Sequence, residues 1–180
     1  MRILFLTPQL PYPPEKGTAL RNWGLIQGLA ERHDVSLLSF TEPEKDGSVA
    51  PRLSQVCRRI ATVPQPVRTR WERFRDMITT AQPDMALRLA SQAYDHALQD
   101  FLAEHRFDVV QIEGIELAPY LDTIRAAAPD PLVVFDDHNC EYVLQERTFL
   151  TDLYSPLRWS GAAYSFVQWR RLRRYEARIC

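Results

Sequence analysis

At 180 residues, with 46% hydrophobic and 25% charged residues, the chain has the balance of a folded globular protein and enough length to bury a core. A net charge of -1 argues against a general electrostatic field for nucleic acid or membrane, and three cysteines without a CxxC pair argue against a disulfide framework or thiolate metal site. Reduced thiols are expected, and no stretch approaches the roughly 20 apolar residues of a membrane span.

The first apolar run, RILFL at 2–6, stops at Pro8 and is too short for the core of a secretion signal, so it reads as a strand. Ordinary strand-to-helix connections take about two to six residues. The one that follows here, PYPPEKGTALRNW at 11–23, is longer and stiffer. Pro11, Pro13 and Pro14 hold it extended, and Gly17 permits backbone geometry and close ligand approach that a Cβ would forbid. A helix beginning near Thr18 would aim its N-terminal amides at an anion, with Lys16 and Arg21 adding positive charge. The plainer reading is a rigid turn with two solvated cations. Ala19, Trp23, Ile26 and Ala30 fall at helical spacing behind it, with Leu25 and Leu29 widening the stripe.

Strand-like runs follow at VSLLSF (35–40) and IATV (60–63). Residues 64–90 are interrupted by Pro64, Pro66 and Pro83, and only Trp71 to Thr79 reads as helix. A helix at 91–105 would bury Tyr94, Leu98, Phe101 and Leu102. The next strand, DVVQI at 108–112, ends in Glu113 and Gly114, a carboxylate and a glycine that can grip sugar hydroxyls or simply start a helix. Leu117, Leu121, Ile124 and Ala128 form the next helical stripe.

The last strand, LVVF at 132–135, runs into DDHNCEY at 136–142. Four polar residues in a row are strange as core and read as crevice. His138 can carry a proton or hydrogen-bond a substrate oxygen. Asn139 would cap the following helix, with Glu141 at its positive end. A metal set of Asp136, His138 and Glu141 fits no common ligand spacing. From about Leu157 a final helix runs on with no stop signal. Between Pro156 and Cys180 it carries six arginines against one acid, Glu176, and an apolar stripe of Trp159, Ala162, Phe166, Trp169 and Leu172. That stripe either packs on the sheet domain or lies on an anionic membrane.

Strands that are near-continuously apolar and alternate with helices give an α/β fold, a Rossmann-like, doubly wound, mainly parallel sheet with helices on both faces. With strand order 3-2-1-4-5, ligands would enter between strands 1 and 4, at the strands' carboxyl ends. No G-x-S-x-G, P-loop or G-x-G-x-x-G sequence occurs, which argues against the common hydrolase, NTPase and dinucleotide readings.

The stretch RILFLTPQLPYPPEKGTALRNWGLIQGLAERHDVSLLSF, with DVVQIEG and VVFDDHNCEY, resembles the N-terminal domain of family 4 glycosyltransferases of the GT-B architecture. The match is closest to the bacterial exopolysaccharide branch, whose first loop reads P-Y-P-P-x-K-G-x-x-x-R, here Pro11 through Arg21. The resemblance implies a retaining, metal-independent transfer of a sugar from a nucleotide-sugar co-substrate to a saccharide or lipid-linked acceptor, without a further cofactor. It places His138 against the transferring sugar as the catalytic residue. Lys16, Gly17, Thr18, Arg21, Glu113, Gly114, Asn139 and Glu141 become the substrate-binding set. Many members have two adjacent glycines where this chain has Lys16-Gly17.

Residues 1–155 would form the acceptor-side domain, and 156–180 a helix leading to a C-terminal donor-binding domain that these residues do not include. The implied setting is cytoplasmic, with peripheral membrane contact open and no nucleic-acid partner. The alternative is a stand-alone Rossmann-like module that binds an anion or a partner at the same crevice without catalysis.

Overall fold

The computed structural model describes residues 1–42, 50–128 and 130–180, and divides the chain into two compact units, 1–66 with 89–138 and 67–88 with 139–180. The first unit holds a five-stranded, all-parallel sheet of β1 (Arg2–Thr7), β2 (Asp34–Thr41), β3 (Arg59–Pro64), β4 (Val109–Glu113) and β5 (Leu132–Asp136). Its strand order is β3-β2-β1-β4-β5, the order assumed in locating the crevice, so β1 and β4 flank the topological switch.

Alternation of side chains sorts the core into two faces. On one, Ile3 and Phe5 of β1 and Val35 and Leu37 of β2 meet Trp23 and Ile26 of α1 (Gly17–Ala30), joined by Leu53 and Cys57 of the short α2 (Pro51–Val56) and its cap. On the other, Phe40 stacks on Tyr94 of α5 (Gln92–Glu104) with ring centroids 4.2 Å apart, and the Tyr94 hydroxyl donates to the Leu38 carbonyl at 3.0 Å. A 3-10 turn at Ile115–Tyr120 and α6 (Leu121–Ala127) complete that face, burying Leu117, Leu121 and Ile124. Cys57 is walled in so thoroughly that burial pushes its thiol up to about 11, and all three cysteines are free.

The second unit is helical: α3 (Arg70–Thr79), α4 (Asp84–Arg88), α7 (Glu141–Leu153) and α8 (Trp159–Ile179). This division departs from the expected boundary at residue 155, because α7 pairs with α8 and leaves with it. Phe149 of α7 lies 5.3 Å from Phe166 and 6.1 Å from Trp169 of α8, centroid to centroid. The apolar stripe expected on α8 is correspondingly displaced. Ala162, Ser165, Gln168, Leu172, Tyr175 and Glu176 are its buried positions, while Trp159 and Phe166 are exposed. The buried face is mixed because it is held by hydrogen bonds as well as by packing; Gln168 accepts the Asp84 amide at 2.8 Å.

The weakly patterned 64–90 region contains α3 and a short α4, one turn that the sequence pattern did not reveal. Thr69 caps α3 by a reciprocal capping box with Glu72. Among the described residues no helix is long and apolar enough to cross a membrane.

Candidate functional site

The first unit ends its sheet in a polar rung. Thr62 pairs with Ser39, Ser39 with Thr7, and Glu113 with Asp136; the rung after Leu6–Ile112 sets Thr7 beside Glu113. Parity puts all five side chains on the face that carries α1, one step beyond the apolar rung of Phe5 and Leu37. Polar side chains replace apolar ones where the strands open into the crevice.

His138 follows β5 in the left-handed region, at φ 50°. A non-glycine residue is uncommon there and such geometry gathers at functional positions. It is held by two contacts: its amide donates to Asp136 Oδ1 at 3.0 Å, and its ring Nε2 meets Glu113 Oε2 at 2.6 Å. Glu113 is fully buried, and its other oxygen accepts from Gln111 Nε2 at 2.8 Å. The hydrogen bond to Glu113 raises the His138 pKa above its ordinary value, against desolvation and the Arg21 charge, with further help from the Glu113 and Asp136 charges. The imidazole is thereby biased towards its protonated, donating form. Only Nδ1 is left for a ligand.

Across the rung, Arg21 of α1 forms an ion pair with Asp136. Four of the expected residues, or their neighbours in sequence, are thus brought into one cluster: Arg21, Glu113, Asp136 and His138. Their roles differ from those expected. Glu113 cannot grip a sugar directly, since its carboxylate is buried and committed to His138 and Gln111; it positions the imidazole instead. Lys16 and Arg21 are not free cations, because Lys16 pairs with Glu42 and Arg21 with Asp136.

Gly114 does start a helical turn, at φ 94°, where a Cβ would lie 2.9 Å from the Glu116 carboxylate. Gly17 has no such constraint: a Cβ there meets nothing within 4 Å and its φ is not left-handed, so the backbone-geometry argument for Gly17 fails. Thr18 lies half buried in the first turn of α1. Asn139 and Glu141 fall in the second unit. The N-cap of α7 is Cys140, and Asn139 donates to Glu141 at 3.3 Å instead of capping the helix. The capping is done by Glu176 of α8, whose carboxylate accepts the Tyr142 amide at 2.7 Å. Burial raises the Glu176 pKa, opposed by that amide bond.

The loop's stiffness has a source beyond its prolines. Pro11 is buried, and Tyr12 leans on Trp23 with ring centroids 4.9 Å apart. The Tyr12–Pro13 peptide is cis. The pattern also gave no sign of Asn22, fully buried on α1 with neither amide atom hydrogen-bonded, nor of Thr7, whose buried hydroxyl also lacks a partner among the described residues. An unpartnered buried amide costs about 1–3 kcal/mol.

Glu113, Asp136 and His138 each offer an atom within 4.8 Å of the others, a spacing that could accept a cation. Arg21 and the Gln111 amide already compensate those carboxylates, so a dication would have to displace a guanidinium. An open depression of about 570 Å³ lies at the amino ends of the strands, lined by Arg2, His33, Asp34 and Asp108, away from this cluster. Comparison with known family profiles, curated proteins and solved structures finds no match.

Proposed function

We propose that the chain is the acceptor-side half of a retaining, metal-independent glycosyltransferase with the GT-B arrangement, passing a sugar from a nucleotide donor to a saccharide or lipid-linked acceptor. The observation that carries this reading is the cluster at the carboxyl ends of β1, β4 and β5, where a carboxylate-held imidazole stands beside an Arg21–Asp136 pair. Sugar hydroxyls both donate and accept, and a site offering imidazole N–H, guanidinium and carboxylate oxygen together matches them. The engagement of Lys16 and Arg21 by the protein's own carboxylates speaks against the stand-alone anion-binding alternative, which needs those cations unspent.

In this reading His138 is the catalytic residue. Its raised pKa suits hydrogen-bond donation to an oxygen of the transferring sugar better than proton removal. Arg21 and Asp136 orient the acceptor, and Glu113 is a positioning residue behind His138. The donor nucleotide belongs to a second α/β domain, so the 180 residues alone should not turn over. The decisive check is the reading frame beyond codon 180: a second run of strand and helix patterns is expected, and a stop codon directly after Cys180 would overturn the half-enzyme reading.

A further inference from the structure

Helix α3 is built inside out for water. Trp71, Phe74 and Ile78 follow one another at helical spacing and are 72%, 48% and 65% exposed, while no residue of the helix is buried; Val67, just before the helix, is 79% exposed. The polar side is the one turned inward. Arg68 bonds Asp76 at 3.0 Å and Asp84 at 2.9 Å, Arg73 bonds Asp84 at 2.8 Å and the Tyr164 hydroxyl at 3.2 Å, and Arg171 of α8 donates to the Met77 carbonyl at 2.6 Å. An amphipathic helix that only had to fold in water would present the opposite face to its neighbours. Three consecutive stripe residues left outward form an apolar surface of the kind that marks an interaction site.

The chemistry of the partner is written in the charges. Arg70 and Arg75, both exposed, border the stripe on its two sides. The second unit as a whole has twelve arginines against seven acidic residues, whereas the first is net acidic. A second apolar feature lies at the matching end. The contacts of Arg73 with Tyr164 and of Met77 with Arg171 show α3 and α8 running in the same direction, so the N-terminal end of α3 points towards the α7–α8 turn. In that turn Tyr154, Leu157 and Trp159 are 87%, 96% and 60% exposed, with Arg158 beside them. Aromatic and aliphatic side chains rimmed by arginine are the composition that settles at a lipid headgroup boundary.

We propose that the outward face of α3, Trp71, Phe74 and Ile78 between Arg70 and Arg75, docks on an anionic lipid bilayer. The membrane contact lies on α3, not on the arginine-rich end of α8. This inference does not rest on the sugar-transfer reading, and either can fail without the other.

The test is sedimentation of the 180-residue chain at low salt with vesicles of phosphatidylglycerol and phosphatidylcholine, and with phosphatidylcholine alone. Binding to the anionic vesicles is expected, weakened by salt. The double variant Trp71→Ser/Phe74→Ser, whose side chains are exposed and carry no core, should bind about tenfold more weakly or worse. Arg70→Gln/Arg75→Gln should lose most of the preference for anionic lipid, while Arg173→Gln/Arg174→Gln on α8 should bind like the parent. The proposal is overturned if the parent chain stays in the supernatant, if Trp71→Ser/Phe74→Ser binds undiminished, or if the α8 variant alone abolishes binding. A dimer in solution that Trp71→Ser/Phe74→Ser dissociates would assign the surface to a second copy of the chain and equally overturn it.

Discussion

Glu113 and His138 act as a unit, and the consequence is a pH dependence with a definite sign. His138 has its pKa raised in the folded chain, first by the hydrogen bond it makes to Glu113. A raised folded value means that the unfolded chain releases the proton first. The stabilisation is therefore complete below about pH 6.5, the unfolded value, and is lost as pH rises through the higher folded value. Urea unfolding across that window should show stability falling with pH in the parent and a flatter profile in His138→Ala; parallel profiles would contradict the dyad. Glu113→Gln should bring the His138 titration, followed by NMR, back down towards the ordinary histidine range. An unmoved titration would mean that Glu113 does not set it. In the second unit, Glu176→Ala removes the acceptor for the Tyr142 amide and should destabilise by about 1 kcal/mol, while Glu176→Gln, which keeps an acceptor without burying charge, should cost less.

Elements were legible where hydrophobic period and burial agree. All five strands appear within a residue or two of their apolar runs; for β1 and β2 the reason is burial on both faces, which needs an unbroken apolar run, while β5 keeps such a run with Leu132 and Val134 exposed. The two shortest helices, α2 and α4, carry too few turns for a period to register. The stripe on α8 was misplaced for a different reason: Gln168 and Glu176 are buried through hydrogen bonds, which apolar periodicity cannot see. For the site, the sequence named His138, Glu113 and Arg21 but not their couplings. A 25-residue separation between Glu113 and His138 leaves no local trace, and only the rung of β4 beside β5 joins them. At this scale the capping box of α3 is testable. Thr69→Ala should cost about 1 kcal/mol of local stability, read as faster amide exchange over Arg70 to Arg75 with little change elsewhere, since α3 buries no core residue.

At the scale of the whole sheet, the strand order puts the switch point between β1 and β4 and brings the loops after β1, β4 and β5 together at the carboxyl ends of the strands. The sugar-transfer account stands on what those loops hold there: a positioned imidazole, a guanidinium and a carboxylate within one cluster. Metal independence is part of the account, so chelators should leave transfer unchanged.

The measurement that bears most directly on it is nucleoside diphosphate release from a panel of nucleotide sugars by the chain joined to the second α/β domain that the proposal calls for. The account predicts turnover with at least one donor, lowered about 100-fold or more in His138→Ala and clearly in Arg21→Ala, with both variants folded like the parent. Near-parental turnover in both variants would contradict it.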